Sequence, residues 1–317
     1  LIINNTIVAS VLIPELFTGE SYTLSYLWTP TVEATYNVTA FTPPLSVGEF
    51  TTNNVAVKYV KVMSVKGYVL FDQTHGTDDI ARYSIWVANL IERGYVVETH
   101  MTGPITSTIL ERYDVLVIPE AHSSYFSDEI LAIQNFVING GGLLVIGDDF
   151  PAAYTDLTSF AGIAWDMEYY GWRGYTDDIT PHPVTEGVNL TYFDSPLSQL
   201  YVSSPATDII RDGSGYGEVM LATSEVGFGK VIAIADEHTI TDDYISYADN
   251  TQLANNMIEW LVARYEHDLT VLLDAPIFVE LGSSTLLNAT IYNMGLNNET
   301  NVELYLLIDG VLVNSTM

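Results

Sequence analysis

The chain has no cysteine. That excludes disulfides, thiolate-held metal centres and any thiol nucleophile. Basic residues are scarce: ten Lys and Arg stand against forty Asp and Glu, a formal charge of −30. Phosphate contact needs clustered cations, so this balance argues against a nucleic-acid partner and against docking on anionic lipid. No apolar run approaches the ~20 residues of a membrane span. A signal-peptide pattern is missing too, and the first residue is Leu rather than Met, as expected of a mature or partial product. The chain contains no H-E-x-x-H, no EF-hand loop and no G-x-S-x-G elbow, which removes the usual zinc-protease, calcium-loop and serine-hydrolase signatures.

Apolar residues are plentiful, 48 % of 317, enough for large cores in two or three domains. The negative charge favours solubility and can attract divalent cations such as Ca²⁺. Twenty-one tyrosines and a surface rich in Thr, Ser and Asn fit an extracellular or cell-surface location. Six N-x-S/T sequons occur, at Asn4, Asn37, Asn189, Asn288, Asn298 and Asn314, five of them in the two end segments. They are the glycosylation candidates. In ATYNVTAF, Tyr36, Val38 and Ala40 alternate with Thr35, Asn37 and Thr39, so a core-facing first set predicts a solvent-facing Asn37. The same reasoning exposes Asn288.

Three segments follow one another. Residues 1–63 are β by pattern: SYTLSYLW (21–28) and VAVKYVKV (55–62) alternate, with turn signals between them. Residues 266–317 are β as well, through LTVLL, IFVEL, TLLNATIYN and VELYLLIDGVLV. Residues 1–10 match 306–315 at Leu1/Leu306, Ile3/Ile308, Val8/Val313 and Ser10/Ser315. Asn4-Asn5 stands opposite Asp309-Gly310, and both dipeptides suit a tight hairpin turn. The match suggests one period of a longer array. Neither end alone reaches the ~100 residues of a β-sandwich, but 268–305 followed by 1–62 would. The open ends are therefore expected to be completed by further polypeptide or by a neighbouring copy.

The middle, 64–265, alternates strand and helix. YVLFD, YVVET, VLVIPE, LLVIG, GEVMLAT and GKVIAIAD are short apolar strands. Helical spacing appears over 78–92, after Ser127 as a cap, and near 249–263. Near-continuous apolar strands predict a parallel sheet covered on both faces.

Two resemblances attach to these segments. IPELFTGESYTLSYLWTP, ATYNVTAF and EFTTNNVAVKYVKV, preceded by LLIDGVLV, resemble CARDB-type modules, immunoglobulin-like sandwiches of bacterial and archaeal surface proteins. That resemblance implies a structural or adhesive role. VLFDQTHG, INGGGLLVIGDD, HPVTEGV and GFGKVIAIADEHTITDDYISYADNTQLANNMIEWL resemble the glutamine-amidotransferase-like superfamily, nearest its non-hydrolytic GldG/IFT-type branch. A flavodoxin-like fold is implied. In the superfamily's catalytic members a cysteine follows the strand that LLVIG matches; here the residues are Asp148, Asp149 and Phe150, so acyl chemistry is not carried over.

Polar groups remain at the predicted strand ends: Asp72 and His75, Glu120 and His122, Asp148 and Asp149, and Asp236, Glu237 and His238. In an open parallel sheet such ends converge on one crevice. Asp72, His75, Asp148, Asp149, Asp236 and His238 are the ligand or metal candidates, for Ca²⁺ or a sugar hydroxyl, or as acid and base. The alternative is that they cap helices and brace loops. Asp177-Asp178 and Asp242-Asp243 read as solvated loop pairs, WDMEYYGWRGY (165–175) as sheet-edge packing or a stacking surface, and His182 as part of a structural turn.

The expected fold is a flavodoxin-like α/β domain flanked by partial immunoglobulin-like segments. The expected function is a non-enzymatic structural or adhesive subunit of an extracellular filament, surface layer or stalk, archaeal in character, that associates with its own copies. A carbohydrate-binding surface protein is the first alternative and a secreted hydrolase the second.

Overall fold

The computed structural model of the chain describes residues 1–44, 51–148, 151–166, 171–194, 198–263, 269–276, 278–293, 295 and 297–316. The chain divides into two compact units, Leu1–Val65 and Lys66–Met317.

In the first unit, the short strands Ile2–Ile3 and Thr6–Ile7 form a hairpin whose turn residues, Asn4 and Asn5, both have positive φ. Asparagine tolerates that left-handed backbone because its short polar side chain can bond locally; Asn4 Oδ1 accepts the Asn37 N–H at 2.9 Å. Ile2–Ile3 then pairs with Ala34–Phe41, which pairs with Val55–Val62, all antiparallel. Trp28 packs edge-on against Tyr36 at 4.8 Å. The expected strand over 21–28 does not form. Its Tyr22, Leu24, Tyr26 and Leu27 stay exposed, because alternation makes a strand only where a neighbouring backbone pairs with it. Asn37 is half-buried rather than facing solvent, and its Oδ1 accepts the Thr39 hydroxyl at 2.6 Å.

The second unit is built on a nine-stranded sheet. Its strands are β1 (Gly67–Asp72), β2 (Tyr95–His100), β3 (Val115–Pro119), β4 (Gly142–Ile146), β5 (Ile163–Trp165), β6 (Leu200–Val202), β7 (Thr207–Arg211), β8 (Val219–Val226) and β9 (Gly229–Ile234). Five are parallel, in the order β2-β1-β3-β4-β9, the flavodoxin-like order 2-1-3-4-5. The sheet is mixed rather than purely parallel, because β8, β7, β6 and β5 extend it antiparallel beyond β9. The change of direction begins at a two-residue hairpin, Gly227-Phe228, with Gly227 at φ 61°. Glycine at the first turn position fits a II′ turn.

The longer helices among the described residues are α1 (Ser84–Arg93), α2 (Ser127–Ile138), α3 (Pro151–Thr158) and α4 (Asn250–Val262). Asp242 does not lie free in solvent: it accepts the Ile85 N–H and the Ser84 hydroxyl at the start of α1, where negative charge is favoured. Gly94 ends α1 in the left-handed conformation. Ser127 is the first residue of α2 rather than its cap; the Glu129 carboxylate reaches back to the Phe126 N–H at 2.9 Å. One core joins Phe71, Trp86, Leu90, Met257 and Leu261, and another joins Leu116, Ile133, Val145, Tyr154 and Trp165. The sheet is thus buried on both faces. Trp165 is core, not a stacking platform, and donates to the Thr158 hydroxyl at 3.1 Å. Residues 167–170 of the same aromatic stretch lie outside the described residues.

Besides the pair Gly174–Thr176 with Thr191–Phe193, the unit contains two further two-stranded sheets among the described residues, Leu269–Asp274 with Asn288–Asn293 and Leu304–Ile308 with Val311–Thr316. Asp309 and Gly310 have positive φ at the second turn, as Asn4 and Asn5 do at the first. The IFVEL segment (277–281) shows no strand at 278–281, and residue 277 lies outside the described set.

Candidate functional site

The C-terminal ends of β1, β3, β4 and β9 carry Asp72, Glu120, Asp148 and Asp236. All four are buried, which costs several kcal/mol per isolated charge unless partners compensate. The structure sorts the strand-end residues into separate hydrogen-bonded groups.

In the first group, Asp72 Oδ1 accepts the Thr74 N–H and hydroxyl at 3.1 and 2.8 Å, and Oδ2 accepts the Tyr125 hydroxyl. His75 stacks on Tyr125 with ring centroids 3.8 Å apart. Its Nδ1 meets the Thr74 hydroxyl and its Nε2 meets Glu129 at 3.1 Å. Glu129 also accepts the Ile105 and Phe126 N–H groups. Burial and the adjacent Asp72 hold the Tyr125 hydroxyl well above its usual range. These bonds tie the loop after β1 to the start of α2.

In the second group, His238 lies between two buried carboxylates. Its Nδ1 is 3.2 Å from Asp148 and 3.4 Å from Asp236. Hydrogen bonds to Asp148 and then Asp236 push the imidazole from 6.5 up to about 10, so it is a cation at neutral pH. Asp236 accepts the His238 and Asp194 N–H groups at 2.9 and 2.6 Å and the Thr239 hydroxyl at 2.9 Å. The Asp148 carbonyl accepts the Ser198 and Tyr154 hydroxyls. Asp148, Asp236 and His238 also each offer one ligand atom within 4.8 Å of the others, a set that a divalent cation can take in place of the imidazole proton. This arrangement is an ion triad that locks strand ends together. Asp149 lies outside the described residues.

A third group combines Asp78, Arg82, Glu120, His122 and Glu237. The Arg82 guanidinium bonds Asp78 and reaches Glu237 at 2.7 and 3.1 Å. Burial and the nearby Asp78 and Glu120 carboxyls raise Glu237 far above the carboxylate range. Glu120, His122 and Glu237 were visible in sequence as strand-end residues, but Asp78 and Arg82 were not singled out. Their i,i+4 spacing before a helix was the available signal. Glu129 and Tyr125 had none, because only the packing of α2 brings them to β1. His182 is structural: its Nδ1 accepts the Val184 N–H at the start of a short 3-10 turn.

Residues 83–258 match the model of DUF4350, a domain of unknown function, over more than half of the chain. The protein belongs to the DUF4350 family. No curated protein matches it. Among solved structures, this chain is similar to the mmIFT52 N-terminal domain, with a TM-score of 0.53 at 17 % identity over 61 % of this chain and 96 % of that one. A ThuA-like protein from Bacteroides uniformis ATCC 8492 aligns with a TM-score of 0.45 at 13 % identity, over 64 % of this chain and 94 % of its own. Cytoplasmic protein STM1381 from Salmonella typhimurium LT2 aligns at 0.45 and 13 %, over 72 % and 96 %. At 17 % identity, the similarity to the mmIFT52 N-terminal domain speaks to the α/β fold alone.

Proposed function

We propose that the protein is a non-enzymatic structural subunit of an extracellular filament, surface layer or stalk, and that its copies associate through the β segments, which we read as CARDB-type. The observation that carries this reading is a groove of about 640 Å³ in the first unit, lined by Ile2, Ile7, Val11, Tyr22, Leu24 and Phe41 among others. In the second unit, the Leu304–Thr316 hairpin stands as a two-stranded sheet with Tyr305, Leu307, Ile308, Val311, Leu312 and Val313 exposed. A hairpin of two strands is marginal alone, and a run of exposed apolar side chains marks an interaction surface. The occupant is the Leu304–Thr316 hairpin of a second copy. It resembles the hairpin at Ile2–Ile7 in sequence and in its positive-φ turn, so it presents the shape that the first unit already accepts beside Ala34–Phe41.

Two further features support the reading. The candidate carboxylates after β1, β4 and β9 bond loops and helix starts, which is the work of a scaffold. Five of the six sequon asparagines are exposed, Asn37 being the exception, as glycan attachment on an outer surface requires. The test is association measured by sedimentation velocity, with Val311→Glu and Val313→Glu on the hairpin. Both side chains are exposed, so the α/β fold is expected to survive. Each lost apolar contact is worth about 1–2 kcal/mol, and a buried charge adds to it, so the double variant should associate at least tenfold more weakly. Unchanged association would refute the reading.

A further inference from the structure

The third group of side chains holds more negative charge than its own cation neutralises. Asp78, Glu120 and Glu237 are three carboxyl groups brought together from the loop after β1, the end of β3 and the end of β9, and the Arg82 guanidinium is bonded to Asp78 and Glu237. Glu120 and Glu237 are almost fully buried. Arg82 takes Glu237 with two bonds and Asp78 with one. With Glu237 counted as the neutral acid, Asp78 and Glu120 still exceed the Arg82 cation by one formal charge.

The donor geometry agrees. Asp78, Glu120 and His122 each offer one ligand atom within 4.8 Å of the others, and His122 Nε2 is 3.5 Å from Glu120 Oε2. His122 is positioned by its backbone, since its N–H donates to the His75 carbonyl at 3.1 Å. Gly76 comes so near that a Cβ there would meet His122 Cβ at 3.3 Å. Bonds of ~2.1 Å to a tetrahedral ion separate donors by about 3.4 Å, and His122 is exposed.

An independent observation points to something held there. Tyr83 is fully buried, yet its hydroxyl has no hydrogen-bond partner among the described residues. It is near enough to Glu237, Asp78 and Glu120 to feel their charge. A buried hydroxyl without a partner costs about 1–3 kcal/mol, and a cation with its bound water would satisfy it.

We propose that Asp78, Glu120 and His122 bind one divalent cation that accepts mixed carboxylate and imidazole ligands, Zn²⁺ or Mn²⁺, with the Tyr83 hydroxyl facing the ion or its water. This site does not depend on the assembly reading. Imidazole among the donors separates it from the oxygen-only preference of Ca²⁺.

The experiment titrates the chelator-stripped full chain with ZnCl₂, MnCl₂ and CaCl₂ by isothermal calorimetry, with thermal melts in parallel. The expected result is one saturable site for Zn²⁺ or Mn²⁺ and a raised melting temperature on binding. Glu120→Gln and His122→Ala should each weaken affinity at least tenfold. His122 is exposed, so its variant keeps the fold. Tyr83→Phe should leave the metal-free chain as stable as wild type or more so, and weaken binding several-fold. No saturable binding overturns the proposal, as does binding unchanged in both ligand variants. Tighter binding of Ca²⁺ than of either other ion overturns the ligand class.

Discussion

Replacing His238 by Gln removes the cation between Asp148 and Asp236 while keeping a side chain of similar reach. At neutral pH the variant leaves two buried carboxylates facing each other. Breaking one partner out of a buried ion group typically costs about 3–5 kcal/mol. The wild-type imidazole moves from 6.5 to about 10 on folding, which corresponds to about 5 kcal/mol if fully transmitted. The ring is 24 % exposed and so partly screened, which reduces the expected difference to about 2–3 kcal/mol at pH 7. The sign follows from linkage. A group whose folded pKa is raised contributes its full stability below 6.5 and loses it as pH climbs through about 10. Asp236 is also raised, by burial, and therefore acts in the same direction. Urea unfolding of wild type and His238→Gln, in chelator at pH 7 and again near pH 10, checks this. The gap between the two proteins should narrow to about 1 kcal/mol or less at the higher pH. Ionisations common to both chains cancel in that difference. An equal gap at both pH values would show that His238 is not charged in the folded state.

Other substitutions test neighbouring parts of the account. Asp72→Ala strips acceptors from Thr74 and the buried Tyr125 hydroxyl and should cost about 2–4 kcal/mol in urea unfolding; a loss under 1 kcal/mol would deny the network its bracing role. Gly227→Ala places a methyl 2.6 Å from the Ile138 carbonyl oxygen at a φ of 61°. It should lower stability by about 2–4 kcal/mol, and an unchanged melting curve would mean that the β8–β9 turn is not as described.

Much of the second unit was legible because its signals are local. Four-to-six-residue apolar runs became β1 to β4 and β9, and the helical spacing around Leu253, Met257 and Leu261 became α4. The antiparallel extension was less visible, although Gly227-Phe228-Gly229 marks a hairpin, because buried parallel and antiparallel strands share the same apolar runs. The strand 21–28 failed for the converse reason: its alternation is clear, but no backbone among the described residues pairs with it. Of the candidate site, Asp72, Asp148 and Asp236 were recognisable from their places at strand ends. What divided the strand-end residues into separate groups was not, since Tyr125, Glu129, Arg82 and Asp194 reach Asp72, His75, Glu237 and Asp236 only through tertiary packing.

Association of the chain with its own copies is the most direct measurement of the structural role. Sedimentation velocity over about a hundredfold range of concentration should show assembly that grows with concentration and is lost with Val311→Glu and Val313→Glu. A monomer throughout that range, with amides of the Leu304–Thr316 hairpin as protected from hydrogen exchange as those of β3 and β4, would contradict the account.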